Sequence, residues 1–155
     1  MRSLALVIGV AVLVGLALAP ARAEAQLTGQ IITSDQPLPD PSGDTAKWVK
    51  ELKKLQKTTF TKEEGGGWTV HFLAFLKKAP GTNEVNLVFY DVTQGKPDQV
   101  HYVPFSVTAA QKTLKSQLKL SADDPIKAGR KYEVRLTRVV GNKEDVLARV
   151  TLTFK

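Results

Sequence analysis

Apolar positions change their spacing twice along this chain, and each change marks a different element. Residues 4–18 carry no polar side chain at all. Residues 27–34 fit a short first strand, and Pro37, Pro39, Pro41 and Gly43 then make a stiff connection. Asp44 is placed to cap a helix over residues 45–57. Within that helix Trp48, Leu52 and Leu55 fall at i, i+4 and i+7 with Val49 on the flank, which gives one apolar stripe. Lys50, Lys53, Lys54 and Lys57 lie on the other side, with Glu51 the one acid. After Gly65-Gly66-Gly67 the period drops to two. Residues 68–78, 84–92 and 99–107 read as strands rich in aromatic and β-branched residues, separated by Pro80-Gly81 and Gly95-Lys96-Pro97 turns. Residues 112–121 place Leu114, Leu118 and Leu120 on one parity and read as a strand, although the spacing of Leu114 and Leu118 also suits a helix. Residues 131–140 and 145–154 close the chain as a long hairpin.

The hairpin's register follows from which side chains must share a core. Tyr132, Val134 and Leu136 alternate on one strand; Val146, Ala148, Val150, Leu152 and Phe154 alternate on the next. Both sets meet one core only if even positions pair with even positions. That predicts Leu136 opposite Ala148, Val134 opposite Val150, and a three-residue loop of Gly141, Asn142 and Lys143. The strand at 68–78 is apolar on both parities: Trp68, Val70, Phe72, Ala74 and Leu76 on one, Leu73 and Phe75 on the other. A half-exposed strand alternates more cleanly. The Trp48/Leu52/Leu55 stripe is therefore expected to cover its outer face, where His71 also lies.

The beginning of the chain has the layout of a secretory leader. Arg2 precedes the apolar run, Pro20 follows it, and Ala21-Arg22-Ala23 and Ala23-Glu24-Ala25 offer two small-x-small cleavage sites. The run is about fifteen residues, and a spanning helix needs roughly 20. A cleaved signal peptide over residues 1–25 is expected, with no transmembrane span in the mature chain. The sequence contains no cysteine. No lipid-bearing thiol, disulfide, thiolate nucleophile or cysteine metal site follows, and the cysteine-free composition suits a bacterial envelope protein. About 130 residues remain, enough for one domain with its own core. Cleavage after Ala23 removes Arg2 and Arg22 and leaves 20 Lys+Arg against 15 Asp+Glu. That modest excess suits acidic glycans, lipid headgroups or acidic proteins as partners.

Six or seven short strands with regular turns and a final hairpin argue for a two-sheet all-β fold. Between Pro125 and Val134 the stretch Pro-Ile-Lys-Ala-Gly-Arg-Lys-Tyr-Glu-Val resembles the tyrosine corner of immunoglobulin-like and fibronectin-type sandwiches, with Ile126, Gly129 and Tyr132 at the matching positions. In those folds a tyrosine near the start of the penultimate strand bonds back to the preceding corner. The resemblance implies an immunoglobulin-like antiparallel β-sandwich. The chain departs from antibody domains in lacking paired cysteines and in carrying an extra helix. A different sandwich or a partly open barrel would satisfy the same pattern. The expected organisation is a signal peptide at 1–25, a strand, linker and amphipathic helix at 26–67 packed on the rest, and a sandwich body at 68–155.

Chemistry-bearing motifs are sparse. Asp91 and Asp98, which lie between His71 and His101, are the acids a shared site would draw on, and no His-Glu-x-x-His pattern occurs. No serine sits in a Gly-x-Ser-x-Gly elbow. Glu63-Glu64 and Asp123-Asp124 are adjacent loop acids, which does not set two carboxylates across a substrate cleft. Gly65-Gly66-Gly67 lacks a following Lys-Ser/Thr and opens onto a strand, so it reads as a flexible joint and not a phosphate loop. No catalytic residue, metal site or cofactor is expected. The remaining lead is basic: Lys115, Lys119, Lys131, Arg135 and Arg149 form the candidate anion-binding set. Arg135 falls opposite Arg149, a destabilising pair of like charges that an anion, or Glu133 on the diagonal, would relieve.

The sequence therefore predicts an exported, periplasmic or extracellular, non-catalytic binding or accessory module of the cell envelope. Its expected partner is another envelope or secreted protein, docked through an exposed strand edge. A binder of anionic polysaccharide or lipid headgroups is the alternative, helped by the lysine-rich helix, and a small hydrolase with an unrecognised site is the third reading. No nucleic-acid partner is expected.

Overall fold

The computed structural model describes residues 24–155. Of the expected leader only the last two positions fall inside that range. The described chain is mostly β, with one short helix and two sheets. In chain order the elements are β1 (Ile31–Ser34), α1 (Thr45–Leu55), β2 (Thr59–Phe60), β3 (Trp68–Phe75), β4 (Glu84–Asp91), β5 (Asp98–Ser106), β6 (Thr113–Leu120), β7 (Arg130–Val140) and β8 (Lys143–Phe154). One sheet runs β1-β3-β6 and the other β2-β8-β7-β4-β5. All pairings are antiparallel except β2 with β8. Residues 113–120 are a strand and not a helix, because three leucines of one parity pack inward there.

Period-two patterning puts the core between the sheets. Trp68, Val70, Phe72 and Ala74 of β3 and Leu114, Leu118 and Leu120 of β6 meet Val85, Leu87 and Phe89 of β4, Tyr132, Val134 and Leu136 of β7, and Leu152 and Phe154 of β8. Edge-on ring pairs lock the layers, with Phe72–Phe105 at 5.4 Å and Trp68–Phe154 at 5.2 Å between centroids.

A second apolar cluster lies on the outer face of the three-stranded sheet. The Asp44 side chain accepts a hydrogen bond from the Lys47 amide at 3.0 Å and starts α1. The helix lays Trp48, Val49 and Leu52 on Ile32, Leu73 and Phe75, with Leu27 and Leu38 closing the margin. Trp48 Nε1 donates to the Pro39 carbonyl at 3.0 Å, so the proline-rich connection is tied to the helix it precedes. The two-sided apolar pattern of β3 is explained by this: one face meets the opposing sheet, the other meets α1. His71 is the exception. It borders an open cleft of about 330 Å³ with Pro37, Leu38 and Lys115, beside the helix contact and not beneath it.

The hairpin pairs Leu136 with Ala148, Val134 with Val150 and Tyr132 with Leu152, as the core requires. Its loop corrects the expectation. Val140 pairs with Lys143, so the turn has two residues, Gly141 and Asn142. Gly141 has φ +61°, as the first central position of a type II′ turn demands. The parity is restored by a bulge: Thr137 pairs with Val146 while Leu136 pairs with Ala148, and Leu147 is the extra residue. Leu147 and Ala148 are both fully buried. The three-residue loop was inferred from an unbroken ladder, and one bulge changes that count by one.

The triple glycine is also not a loose joint. Gly66 donates to the Glu63 carbonyl and the Glu63 amide donates to the Gly67 carbonyl, both at 2.9 Å, so the segment is a built turn. A Cβ on Gly67 would sit 2.1 Å from the Leu120 carbonyl oxygen. Only glycine allows that approach. At the other corner the Lys127 amide donates to the Tyr132 hydroxyl at 2.9 Å, and Tyr132 is 1% exposed. Burial pushes the Tyr132 phenol pKa up, against the opposing effect of that amide.

Candidate functional site

The structure divides the five candidate cations between two faces that point in opposite directions. Lys115 and Lys119 lie on the outer face of the three-stranded sheet, opposite Leu73 and Thr69. Lys115 is paired with Asp40 at 2.6 Å, and Lys119 borders a cleft with Glu63. Lys131, Arg135 and Arg149 lie on the outer face of the five-stranded sheet. There is thus no single basic face built from all five.

Arg135 and Arg149 are directly opposite each other, and their surroundings differ. The Arg135 Nε donates to Glu133, its guanidinium lies 4.1 Å from the Tyr90 ring centroid, and Nη1 is 3.9 Å from Glu144. Partial burial opposes the charge on Arg135, but Glu133, Tyr90 and Glu144 together outweigh it and the net pKa shift is upward. Tyr90 donates its hydroxyl to Glu144. Burial first, and then that carboxylate, push the Tyr90 phenol up to about 12. Glu133 thus serves Arg135, not Arg149 as the diagonal suggested. Arg149 has no ion pair among the described residues.

Arg149 borders a groove of about 520 Å³ where the first strand approaches the last, shared with Thr28, Gln30, Lys77, Glu133 and Thr151. Gly29 is the joint that makes it. Its amide donates to the Phe75 carbonyl at 2.7 Å, and its carbonyl accepts from the Arg149 amide at 3.1 Å. It therefore links the end of β3 to β8. Lys77 was not foreseen as part of any site. It sits just past β3, and its amide donates to the Leu147 carbonyl at 2.9 Å. The end of β3, bonded to Gly29 and Gln30 through Phe75, and the carbonyl of the bulged Leu147, which sequence parity did not show, together hold it there.

The histidines are separated. His101 pairs with Phe89 across β4 and β5, with ring centroids 5.8 Å apart, whereas His71 is in the other sheet. Among the described residues no group of three or more His, Asp or Glu side chains is placed to hold a metal ion. No helix among them is long and apolar enough to cross a membrane.

Strand edges are the other candidate surface. The β1 edge is occupied: Thr33 exchanges bonds with Lys57, whose amide donates to its carbonyl at 2.7 Å, and a bridge joins Gln30 to Arg149. β2 is two residues long, and β5 carries Pro104 in its interior. β6 has eight residues and no proline, and no described strand pairs with its outer edge, where the Gln111 side chain donates to the Thr113 carbonyl at 2.6 Å. Comparison with family models, with curated proteins and with solved structures found no match to this chain.

Proposed function

We propose that this chain is an exported, non-catalytic, immunoglobulin-like β-sandwich that docks another envelope or secreted protein by accepting an extended segment along β6. The strand arrangement supports the fold reading. The immunoglobulin constant arrangement puts strands A, B, E and D in one sheet and C, F and G in the other. Here the first, second and fifth long strands share one sheet, and the third, fourth, sixth and seventh share the other. That is the same plan with the fourth strand moved across. The Lys127–Tyr132 bond supports the same reading, since a tyrosine of the penultimate strand bonded back to the preceding corner is a mark of such sandwiches. Export rests on the leader pattern at 1–25.

The open β6 edge carries the docking reading. An edge strand presents unpaired amides and carbonyls that another chain can complete. The other three edges are stitched, short or interrupted by proline, and β6 has none of these protections. A photo-crosslinking side chain at Gln117 tests it in the intact source cell. A discrete adduct from Gln117, with none from Tyr102 on β5, is the expected result. Adducts from Tyr102 alone would move the docking surface elsewhere. Sequencing the secreted chain tests the leader: it should begin at Glu24 or Gln26, and retained Met1 would end the export reading.

A further inference from the structure

We propose that the groove between the first and last strands binds the acidic group of a uronic or sulfated sugar, held by Lys77 and Arg149. This groove lies apart from the β6 edge. Two cations border one concave surface, and the only acid there, Glu133, is already engaged by Arg135. Lys77 is directed by Gly29. A Cβ on Gly29 would lie 2.8 Å from the Lys77 Cε and 3.0 Å from its Cγ, so the lysine stem runs across the bare glycine backbone. The same glycine's carbonyl fixes the Arg149 amide. One residue with φ +79° therefore sets both cations against the groove.

The chemistry of the walls selects the ligand. Thr28, Gln30 and Thr151 offer neutral donors and acceptors, and the one apolar residue at the margin, Val150, turns its side chain to the core. Such a surface suits a hydroxyl-bearing ring and offers nothing for an acyl chain. A groove of about 520 Å³ lies within the range of small-molecule sites. The like charges of Arg135 and Arg149, adjacent across the ladder, give the anion a second effect, since it neutralises the member that lacks a carboxylate.

Calorimetric titration at low and physiological salt, with a uronate oligosaccharide, a sulfated oligosaccharide, a neutral oligosaccharide and inorganic phosphate, tests the site. Arg149→Gln and Lys77→Gln should each weaken acidic-sugar binding about tenfold or more, the loss of one charge-assisted contact. Both side chains are exposed, so folding should be kept. Lys131→Gln removes the same charge from the same sheet outside the groove and should change affinity less than about twofold. Equal weakening by Lys131→Gln would reduce the effect to net charge and overturn the site. Binding of inorganic phosphate as tight as that of the sugars would overturn the sugar assignment, and no binding of either acidic sugar at low salt would overturn the proposal outright.

Discussion

Gly66 and Gly67 provide a controlled experiment inside one turn. Both have φ +83°, a left-handed conformation that costs a residue with a Cβ about 1–2 kcal/mol. Their surroundings differ. A Cβ on Gly66 would meet the Ala122 Cβ at 3.5 Å, an ordinary contact. A Cβ on Gly67 would meet the Leu120 carbonyl oxygen at 2.1 Å and its carbon at 3.1 Å. Gly66→Ala should therefore cost about 1–2 kcal/mol, from backbone conformation alone. Gly67→Ala should cost that much plus the displacement of Leu120, an overpacking effect of about 1–3 kcal/mol. Leu120 cannot yield freely, because it pairs with Trp68, whose ring packs edge-on against Phe154. Equilibrium urea unfolding of the two variants, with unchanged m values, measures the gap. Equal losses, or a milder loss at Gly67, would refute the claim that the Gly67–Leu120 approach holds this corner.

Three further outcomes follow from the packing and the charges. Tyr132→Phe should destabilise by about 1–3 kcal/mol in the same unfolding assay, because the Lys127 amide loses its acceptor in a part-buried corner. Trp48→Ala should cost about 3–5 kcal/mol, since the side chain is 2% exposed between α1 and Phe75; a loss below 1 kcal/mol would mean that the helix is not part of the core. Absorbance titration should find the Tyr90 phenol ionising near pH 12, with Tyr132 also raised by its burial, and Glu144→Gln should bring Tyr90 down. Its folded pKa lies above the unfolded value of 10.0, so its contribution to stability is intact below about pH 10 and is lost as pH rises through 12.

Elements whose side chains repeat with one period were readable from the sequence. The α1 stripe, the Asp44 cap and the inward parity of β7 up to Leu136 and of β8 from Ala148 onward follow from spacing alone; Val146, expected inward, is only half-buried, and Leu147 takes the core position instead. So does the helix cover on β3, because a strand apolar on both parities needs two covers. What escaped the sequence was anything set by a single residue that interrupts the period. The bulge at Leu147 is not specified by the alternation: Val146, Leu147 and Ala148 are all apolar, so either parity can be read as inward at that point. The missed strand β2 is two residues long, and its pairing with β8 rests on Phe60 reaching Phe154 across more than ninety positions, which no local pattern records.

The candidate site shows the same division. Parity did set Arg135 opposite Arg149, because the pairing follows from the shared core. It did not decide which arginine would take Glu133. Residues 133 and 135 share a face on one strand, so Glu133 reaches Arg135 without crossing the ladder, and the Tyr90 ring and Glu144 then hold the guanidinium from the other side. That choice isolates Arg149, and the Leu147 bulge two residues earlier accepts the bond that draws Lys77 alongside. The bulge thus does two things at once. It lets a two-residue turn close a hairpin whose faces must stay in phase, and it brings to one groove two cations that lie more than seventy residues apart in the chain. The extra residue sets the hairpin's register, and its carbonyl accepts the Lys77 amide at 2.9 Å, so the groove and the final hairpin meet at Leu147.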